Sequence, residues 1–199
     1  MLSLDNSLYL SSGGQRECYI HPEDNTKVIK VTRANHGIYR FEKKEQNRRN
    51  DNIIDYRYFN SIKNRVVDYS FITRCYGWVE TSKGLGLVVD RVQNYDGSEV
   101  LTFREAVRKK LLSKDKEQEL LDELTQYLSG NKILFADATT NNILLMRIDE
   151  ENFRLVIIDG LGARRLGLKE WIHNHVWLIN RIRIREQIRK LWKDYESIR

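Results

Sequence analysis

The sequence predicts an α+β protein with a β-rich first half and a helical second half. Short apolar segments bounded by turn residues, which are typical of strands, lie at 8–31 and again at 71–92. After the polar linker Gln-Asn-Tyr-Asp-Gly-Ser at 93–98, apolar residues recur with helical spacing. We therefore expect an N-terminal lobe at 1–92 with a small, five-stranded, mainly antiparallel sheet and one helix, and a reduced, mainly helical C-terminal lobe at 99–199 that carries a β-hairpin.

Turn residues divide the first half into its strands. Ser-Ser-Gly-Gly and His-Pro-Glu-Asp-Asn separate predicted strands at 8–10, 17–20 and 27–31. Ser-Lys-Gly separates two further strands at 71–81 and 85–92. Between the two groups, apolar residues recur every four positions, which predicts a helix at 53–62.

The second half begins with a helix start at Thr102, because Glu105 three residues later completes a capping-box pattern. A second helix is expected at 114–129, where leucines form one apolar face and Gly-Asn follows. Two short apolar strands at 143–146 and 155–158, joined by a polar turn, then predict the β-hairpin.

The last segment, 169–199, is expected to be helical and basic. Ile184, Ile188, Leu191 and Tyr195 form an apolar stripe, and arginines and lysines occupy much of the rest. Such a helix lies on an anionic membrane surface or, as the alternative, packs on its own domain with a solvated basic face.

The composition favours a folded protein with acidic partners. The chain is 41% hydrophobic and has a net charge of +6 at pH 7, which suits nucleotides, phosphorylated substrates, anionic lipid or nucleic acid. It has no apolar run of about 20 residues and no recognisable signal peptide. Cys18 and Cys75 have no metal or redox spacing. We therefore expect a cytoplasmic protein with two reduced thiols.

Polar side chains stand at the ends of the predicted hairpin. Asp137 and Asn142 precede its first strand, and Asp159 ends its second strand. Because a hairpin brings its two ends together, we expect these side chains to converge on one site. Phosphoryl-transfer enzymes use an aspartate, an asparagine and a second aspartate in this order to hold metal and to orient a nucleophile.

The N-terminal lobe offers one basic and one acidic candidate. Lys30 lies among apolar neighbours in its strand, and the alternative is a lysine at a sheet edge that points to water. Asp55 lies on the semi-apolar side of its helix, where a cationic partner would stabilise it. The alternative there is a solvent-facing acid that pairs locally with Arg57 or Lys63.

The order of these features resembles the protein-kinase-like fold, which has two lobes. A glycine loop, a strand lysine, a helical acid, a linker, an Asp-x4-Asn motif and a strand ending in Asp-Gly-Leu-Gly follow one another along the chain. In this resemblance Asp137 is the catalytic aspartate. The resemblance also implies that Asn142 and Asp159 would be the Mg²⁺ ligands, with Asp159 at the start of what looks like the metal-binding Asp-Phe-Gly region.

The same resemblance implies an ATP site that uses the N-terminal lobe. Lys30 would bind the phosphates of ATP, with Asp55 in place of the helical glutamate that pairs with it. Gly13 and Gly14 would offer backbone N–H groups to the phosphates, although an ordinary hairpin turn is equally compatible with these two residues.

The segment Asp90-Arg91-Val92 resembles the hinge of a kinase. The backbone of Asp90 and Val92 would then bind adenine, and the linker at 93–98 would continue the hinge toward the second lobe.

Within this fold the chain is similar to the bacterial YrbL family of PhoP regulatory network proteins. The most specific motif is Cys-Tyr-Ile-His-Pro-Glu-Asp at 18–24. Tyr-Gly-Trp-Val-Glu-Thr at 76–81, Asn-Ile-Leu at 142–144 and the Asp-x-x-Gly that ends the hairpin also resemble this family. The resemblance runs from Gly13 to about Arg164.

These features favour an ATP- and Mg²⁺-dependent phosphotransferase whose hydroxyl acceptor belongs to a small molecule, an envelope sugar or a protein. The alternative is a pseudokinase, a nucleotide-binding regulatory module without turnover. Phe135 replaces the usual histidine of the catalytic loop, and Thr139 replaces the lysine that many protein kinases have two positions after the catalytic aspartate. A nucleic-acid-binding protein is less favoured, because the basic helices are not accompanied by a recognisable reader motif.

Overall fold

The computed structural model describes residues 1–33, 50–162 and 177–199, with the backbone alone for 177–180. Its strands are β1 (Tyr9–Ser12), β2 (Arg16–His21), β3 (Asp24–Thr32), β4 (Cys75–Thr81), β5 (Gly84–Asp90), β6 (Leu101–Thr102), β7 (Ile143–Arg147) and β8 (Phe153–Ile157). Its α-helices are α1 (Asp51–Ile62), α2 (Phe103–Arg108), α3 (Lys114–Gly130) and α4 (Trp177–Glu196). The first part of the helical segment predicted at 169–199 lies outside the described residues.

The first compact unit comprises Met1–Asn60 and Arg74–Arg91. Its five strands pair in the order β1-β2-β3-β5-β4, and every pair is antiparallel. Helix α1 begins in the same unit. The predicted antiparallel sheet with one helix is therefore confirmed.

The two faces of β3 differ in what they contact. Ile29 and Val31 pack in one apolar cluster with Tyr19, whereas Val28 packs in a second cluster. Lys30 alternates onto the same face as Val28, and its side chain is nearly buried, with 7% of the residue exposed. The alternative of a lysine that points to water is therefore excluded.

The second compact unit contains the predicted hairpin. β7 and β8 pair along five residues of each strand, and the short strand β6, which the sequence did not reveal, adds to the edge of β7. Thr102 and Glu105 form the predicted capping box at the start of α2. The predicted helix 114–129 is α3, and the leucines of its apolar face are buried.

Helix α4 packs on its own unit through an apolar face. Ile184, Leu191 and Tyr195 are buried. The Tyr195 hydroxyl donates to Glu117 of α3 at 2.9 Å, and burial together with this bond raises the pKa of Tyr195 to about 12. Arg181, Arg185 and other basic residues of the helix remain exposed, so contact with an anionic surface stays a prediction. Within the described residues, no helix has both the length and the apolar character to cross a bilayer.

The start of β4 lies later in the chain than predicted. The strand expected at 71–81 begins only at Cys75. Ile72 instead forms a parallel bridge with Ile157 of β8. Ser61–Thr73 belong to the second compact unit together with Val92–Arg199.

Candidate phosphoryl-transfer site

The loop at 135–142 brings Asp137 and Asn142 together. The side-chain amide of Asn142 donates to the Asp137 carbonyl oxygen at 2.9 Å and to Asp137 Oδ2 at 3.0 Å. A 3₁₀ turn at Thr140–Asn142 bends the chain so that the Asn142 side chain returns to Asp137. Two of the three residues predicted at the hairpin ends are therefore in direct contact.

The other end of the hairpin is tied to the same loop through the residue that follows Asp159. The Asp137 N–H donates to the Gly160 carbonyl at 3.0 Å, and the Ile158 N–H donates to the Asn142 carbonyl at 3.0 Å. The carboxylate of Asp159 accepts a 2.7 Å bond from the Gly160 N–H. These bonds place the backbone on both sides of Asp159 against Asn142 and Asp137.

Gly160 is required at this contact for two reasons. Its φ of +80° lies in the left-handed region that side chains rarely adopt, and a Cβ at this position would lie 2.8 Å from Asp137 Cβ and 3.2 Å from the Asp137 carbonyl oxygen. An alanine there would push Asp137 away from its bonds to Asn142.

We expect Gly160→Ala to lower the free energy of unfolding by about 3 kcal/mol, of which about 1 kcal/mol comes from φ and the rest from the clash. Gly97→Ala is the matched control, because Gly97 has a similar φ of +72° and no atom within 4 Å of an added Cβ. Urea unfolding of both variants measures the difference. Equal losses would show that the contact with Asp137 is not tight.

The oxygen atoms at this site suit Mg²⁺. Mg²⁺ prefers hard oxygen ligands, takes one or two from protein side chains and keeps several waters. The Asn142 nitrogen is engaged with Asp137, so its amide oxygen is the atom left for a metal, and Asp159 supplies a carboxylate. In the part of the chain that the structure describes, no group of three or more His, Cys, Asp or Glu side chains forms a richer metal site.

The candidate residues of the first unit form a buried charge cluster that includes an arginine the sequence did not single out. Lys30 Nζ lies 4.0 Å from Asp55 Oδ2. Arg16 Nη1 lies much closer, at 2.6 Å from the same oxygen, and donates to Asn52 Oδ1 at 3.1 Å. The Asn52 amide donates to the backbone carbonyl of Lys30 at 2.8 Å.

Asp55 therefore pairs with Lys30, as predicted, but Arg16 is its closer partner. The alternative of a solvent-facing Asp55 is excluded, because Asp55 and Arg16 are 6% and 5% exposed. Arg16 is the first residue of β2 after the glycine turn, and an arginine at that position is not distinguishable from a surface residue in the sequence.

The remaining nucleotide candidates are already engaged in local structure. The Gly13 N–H donates to the Arg16 carbonyl at 2.9 Å, which is a hairpin-turn bond. The Asp90 N–H donates to the Arg74 carbonyl at 3.1 Å. The predicted donation of the Gly13 N–H to phosphate would require its turn bond to open, which leaves the Gly14 N–H as the better candidate. Because the Asp90 N–H is engaged as well, the Asp90 carbonyl and the Val92 backbone remain the candidates for adenine binding.

Helix α4 contacts the 135–142 loop along one face, which the sequence did not reveal. Gln187 Oε1 accepts from the Phe135 N–H at 2.9 Å. Lys190 Nζ lies 3.7 Å from Asp137 Oδ1. Asp194 Oδ2 accepts from both the N–H and the hydroxyl of Thr140 at 2.7 Å.

Asp194 is held strongly in its charged form. Burial alone would raise the pKa of its carboxyl, but the bonds from Thr140 and from Arg104 outweigh burial and lower the pKa. The spacing of three and four residues between Gln187, Lys190 and Asp194 is the one signal for this face, and it becomes meaningful only once the loop is known to lie beside the helix.

Solved structures share the fold of this chain. A Rad53 structure in complex with AMP-PNP has a TM-score of 0.54 and is 14% identical, with 98% of this chain and 51% of Rad53 covered. A double mutant of the Mycobacterium tuberculosis PknI kinase domain has a TM-score of 0.50 and is 14% identical, with 76% of this chain and 56% of PknI covered. The chain thus spans little more than half the length of these solved chains, and the likeness shows a protein-kinase-like fold.

Sequence relatives identify the family. The family model described as PhoP regulatory network protein YrbL matches residues 2–196. The YrbL proteins of Escherichia coli (strain K12) and Shigella flexneri are each 32% identical to the chain over 170 residues, which cover 83% of this chain and 76% of theirs. The chain therefore belongs to the YrbL family of PhoP regulatory network proteins, within the protein-kinase-like fold.

Proposed function

We propose that the protein is an ATP- and Mg²⁺-dependent kinase-like phosphotransferase that acts on a hydroxyl acceptor. The observation that carries this proposal is the contact of Asp137 with both Asn142 and Gly160, the residue next to Asp159. The residues that we propose as the base and the metal ligands are thereby held together at the ends of one hairpin. The Rad53 structure of the same fold contains AMP-PNP, which supports a nucleotide as the phosphoryl donor.

The residues of the second unit would carry the chemistry. Asp137 would accept the proton of the acceptor hydroxyl as the oxygen attacks the γ-phosphorus. Asn142 and Asp159 would hold Mg²⁺, which when bound neutralises charge on the phosphates. Transfer of this kind depends on positioning and electrostatic stabilisation, and the bonds between Asn142 and Asp137 supply part of that positioning.

The residues of the first unit would bind the nucleotide. Lys30, held beside Asp55, would contact the α- and β-phosphates. The backbone of Gly14, with Gly13 after its turn bond opens, would approach the phosphates, and the backbone of Asp90 and Val92 would bind adenine. The acceptor is a hydroxyl of a small molecule, an envelope sugar or a protein. The cytoplasm supplies ATP and suits the two free cysteines.

The second candidate is a pseudokinase that binds nucleotide without turnover. Its specific support is that Thr139 replaces the loop lysine, while Asp137 is already engaged by Asn142 and Lys190. A protein that binds Mg²⁺ and ATP but transfers no phosphoryl group to water or to any hydroxyl would match this candidate.

A thermal-shift titration tests both candidates at their shared step. A ligand that binds only the folded state, at a concentration of a hundred times its Kd, raises the free energy of unfolding by about 2.7 kcal/mol. We therefore expect Tm to rise by roughly 5–10 °C with ATP and Mg²⁺. Mg²⁺ alone and ATP with EDTA are the controls, and both should give smaller shifts. No shift at millimolar ATP with Mg²⁺ would contradict nucleotide binding altogether.

A further inference from the structure

Lys190 is the basic side chain of α4 that reaches the proposed base. Its Nζ lies 3.7 Å from Asp137 Oδ1, and the side chains of Lys190 and Asp137 are 46% and 48% exposed. At this exposure and distance the pair contributes little to stability. The lysine is therefore not committed to a structural ion pair, and its amine remains accessible to an anion that approaches Asp137.

The position of Lys190 is nevertheless well defined by its neighbours on the helix. Gln187 and Asp194 bind the backbone of the 135–142 loop at Phe135 and Thr140. Leu191, the next residue, is fully buried. These contacts hold α4 against the loop on both sides of Lys190. The positive charge beside Asp137 therefore belongs to the helix and not to the loop.

The loop has no cation of its own. Its sequence from 135 to 142 is Phe-Ala-Asp-Ala-Thr-Thr-Asn-Asn, without a lysine or arginine. Thr139 occupies the position two residues after Asp137 where many protein kinases have a lysine. A phosphoryl group that is transferred beside Asp137 carries negative charge, and a fixed cation at that place lowers the barrier.

We propose that Lys190 supplies the missing cation and binds the γ-phosphoryl group of ATP, which makes α4 part of the active site. This inference rests on the proposed function. In the step, the acceptor oxygen forms a bond to the γ-phosphorus, the bond from that phosphorus to the β,γ-bridging oxygen breaks, and ADP leaves with the electron pair. The acceptor proton passes to Asp137, while Lys190 stays protonated and offsets the charge on the γ-phosphoryl oxygens.

The experiment compares the affinities for AMP-PNP and ADP, which differ at the γ-position. Titration calorimetry with Mg²⁺ is performed on the wild type and on Lys190→Met. We expect Lys190→Met to weaken AMP-PNP binding by about tenfold or more, because a hydrogen bond to a charged group is lost. ADP binding should change by less than about twofold, since ADP has no γ-phosphoryl group.

Two further variants serve as controls. Lys190→Arg keeps the charge and should retain most of the preference for AMP-PNP. Arg185→Met removes one exposed positive charge from the same helix, five residues earlier and so about 140° around its axis, and should leave both affinities unchanged. Since Lys190 is half exposed, circular dichroism of Lys190→Met should match the wild type.

The outcomes separate this inference from the proposed function. If the wild type binds neither nucleotide, the proposed function fails. If the wild type binds both nucleotides and Lys190→Met leaves both affinities unchanged, the role of Lys190 is wrong while nucleotide binding stands. Equal weakening of both nucleotides would also overturn it, because the residue would then act on the whole site, and faster turnover in Lys190→Met would identify an inhibitory pair instead.

Discussion

Asp159→Ala should abolish Mg²⁺-dependent ATP binding, whereas Asp137→Ala should leave binding intact and remove transfer. Asp159 supplies the carboxylate of the proposed metal pair, and without it Asn142 alone offers one neutral oxygen, which is a weak Mg²⁺ site. Loss of a general base lowers the rate by about a hundredfold or more. Thermal shift with ATP and Mg²⁺ measures binding, and release of ADP measures turnover.

Glu151→Ala is a suitable control for both variants, because Glu151 is an exposed acid in the turn at the opposite end of the same hairpin. It should behave as the wild type in both measurements. Transfer that persists at the wild-type rate in Asp137→Ala would remove the catalytic assignment. A wild-type thermal shift in Asp159→Ala would place the metal elsewhere.

Asp55→Asn should be the most destabilising neutralisation in the first unit. The variant keeps the shape of the side chain but removes the carboxylate that two nearly buried cations, Arg16 and Lys30, both contact. Removal of one partner from a buried ion pair costs about 3–5 kcal/mol. Arg16→Met should cost less, because Asp55 then retains Lys30. Urea unfolding gives the three free energies.

Asp96→Asn provides the matched comparison at an exposed pair. Asp96 lies 2.7 Å from Arg147, with both side chains about one-third exposed, so we expect a much smaller loss of stability than for Asp55→Asn. Should Asp55→Asn cost no more than Asp96→Asn, or less than Arg16→Met, the carboxylate would not be the centre of the cluster.

The sequence was most informative where one local rule applied to consecutive residues. The hairpin was predictable because two short apolar segments joined by a polar turn rarely fold into any other structure. The start of α2 was predictable because the capping box of Thr102 and Glu105 lies within four residues. Strand alternation alone placed Lys30 on the face of Val28, but it left open whether the lysine is buried or points to water.

The parts that could not be predicted depend on pairs that are distant in the chain. Arg16 and Asp55 are separated by 39 residues, and nothing near Arg16 indicates a buried partner. Ile72 was assigned to the same strand as β4, but it forms a bridge with Ile157 of β8 through the backbone bonds of Phe71 and Thr73. The meeting of Asp137 and Asn142 was predictable from sequence, whereas the contact of α4 with their loop required the three-dimensional fold.

The bonds between Asp194 and Thr140 can form only late in the synthesis of the chain, because Asp194 is translated long after Thr140. The two residues are 54 positions apart, and a ribosome that adds about 5–20 residues per second takes roughly 3–11 s to cover that distance. During this interval the nascent chain already contains the hairpin with its aspartates, but Thr140 and Phe135 lack their partners on α4. The loop therefore acquires these two backbone bonds only after the whole of the first unit has been synthesised.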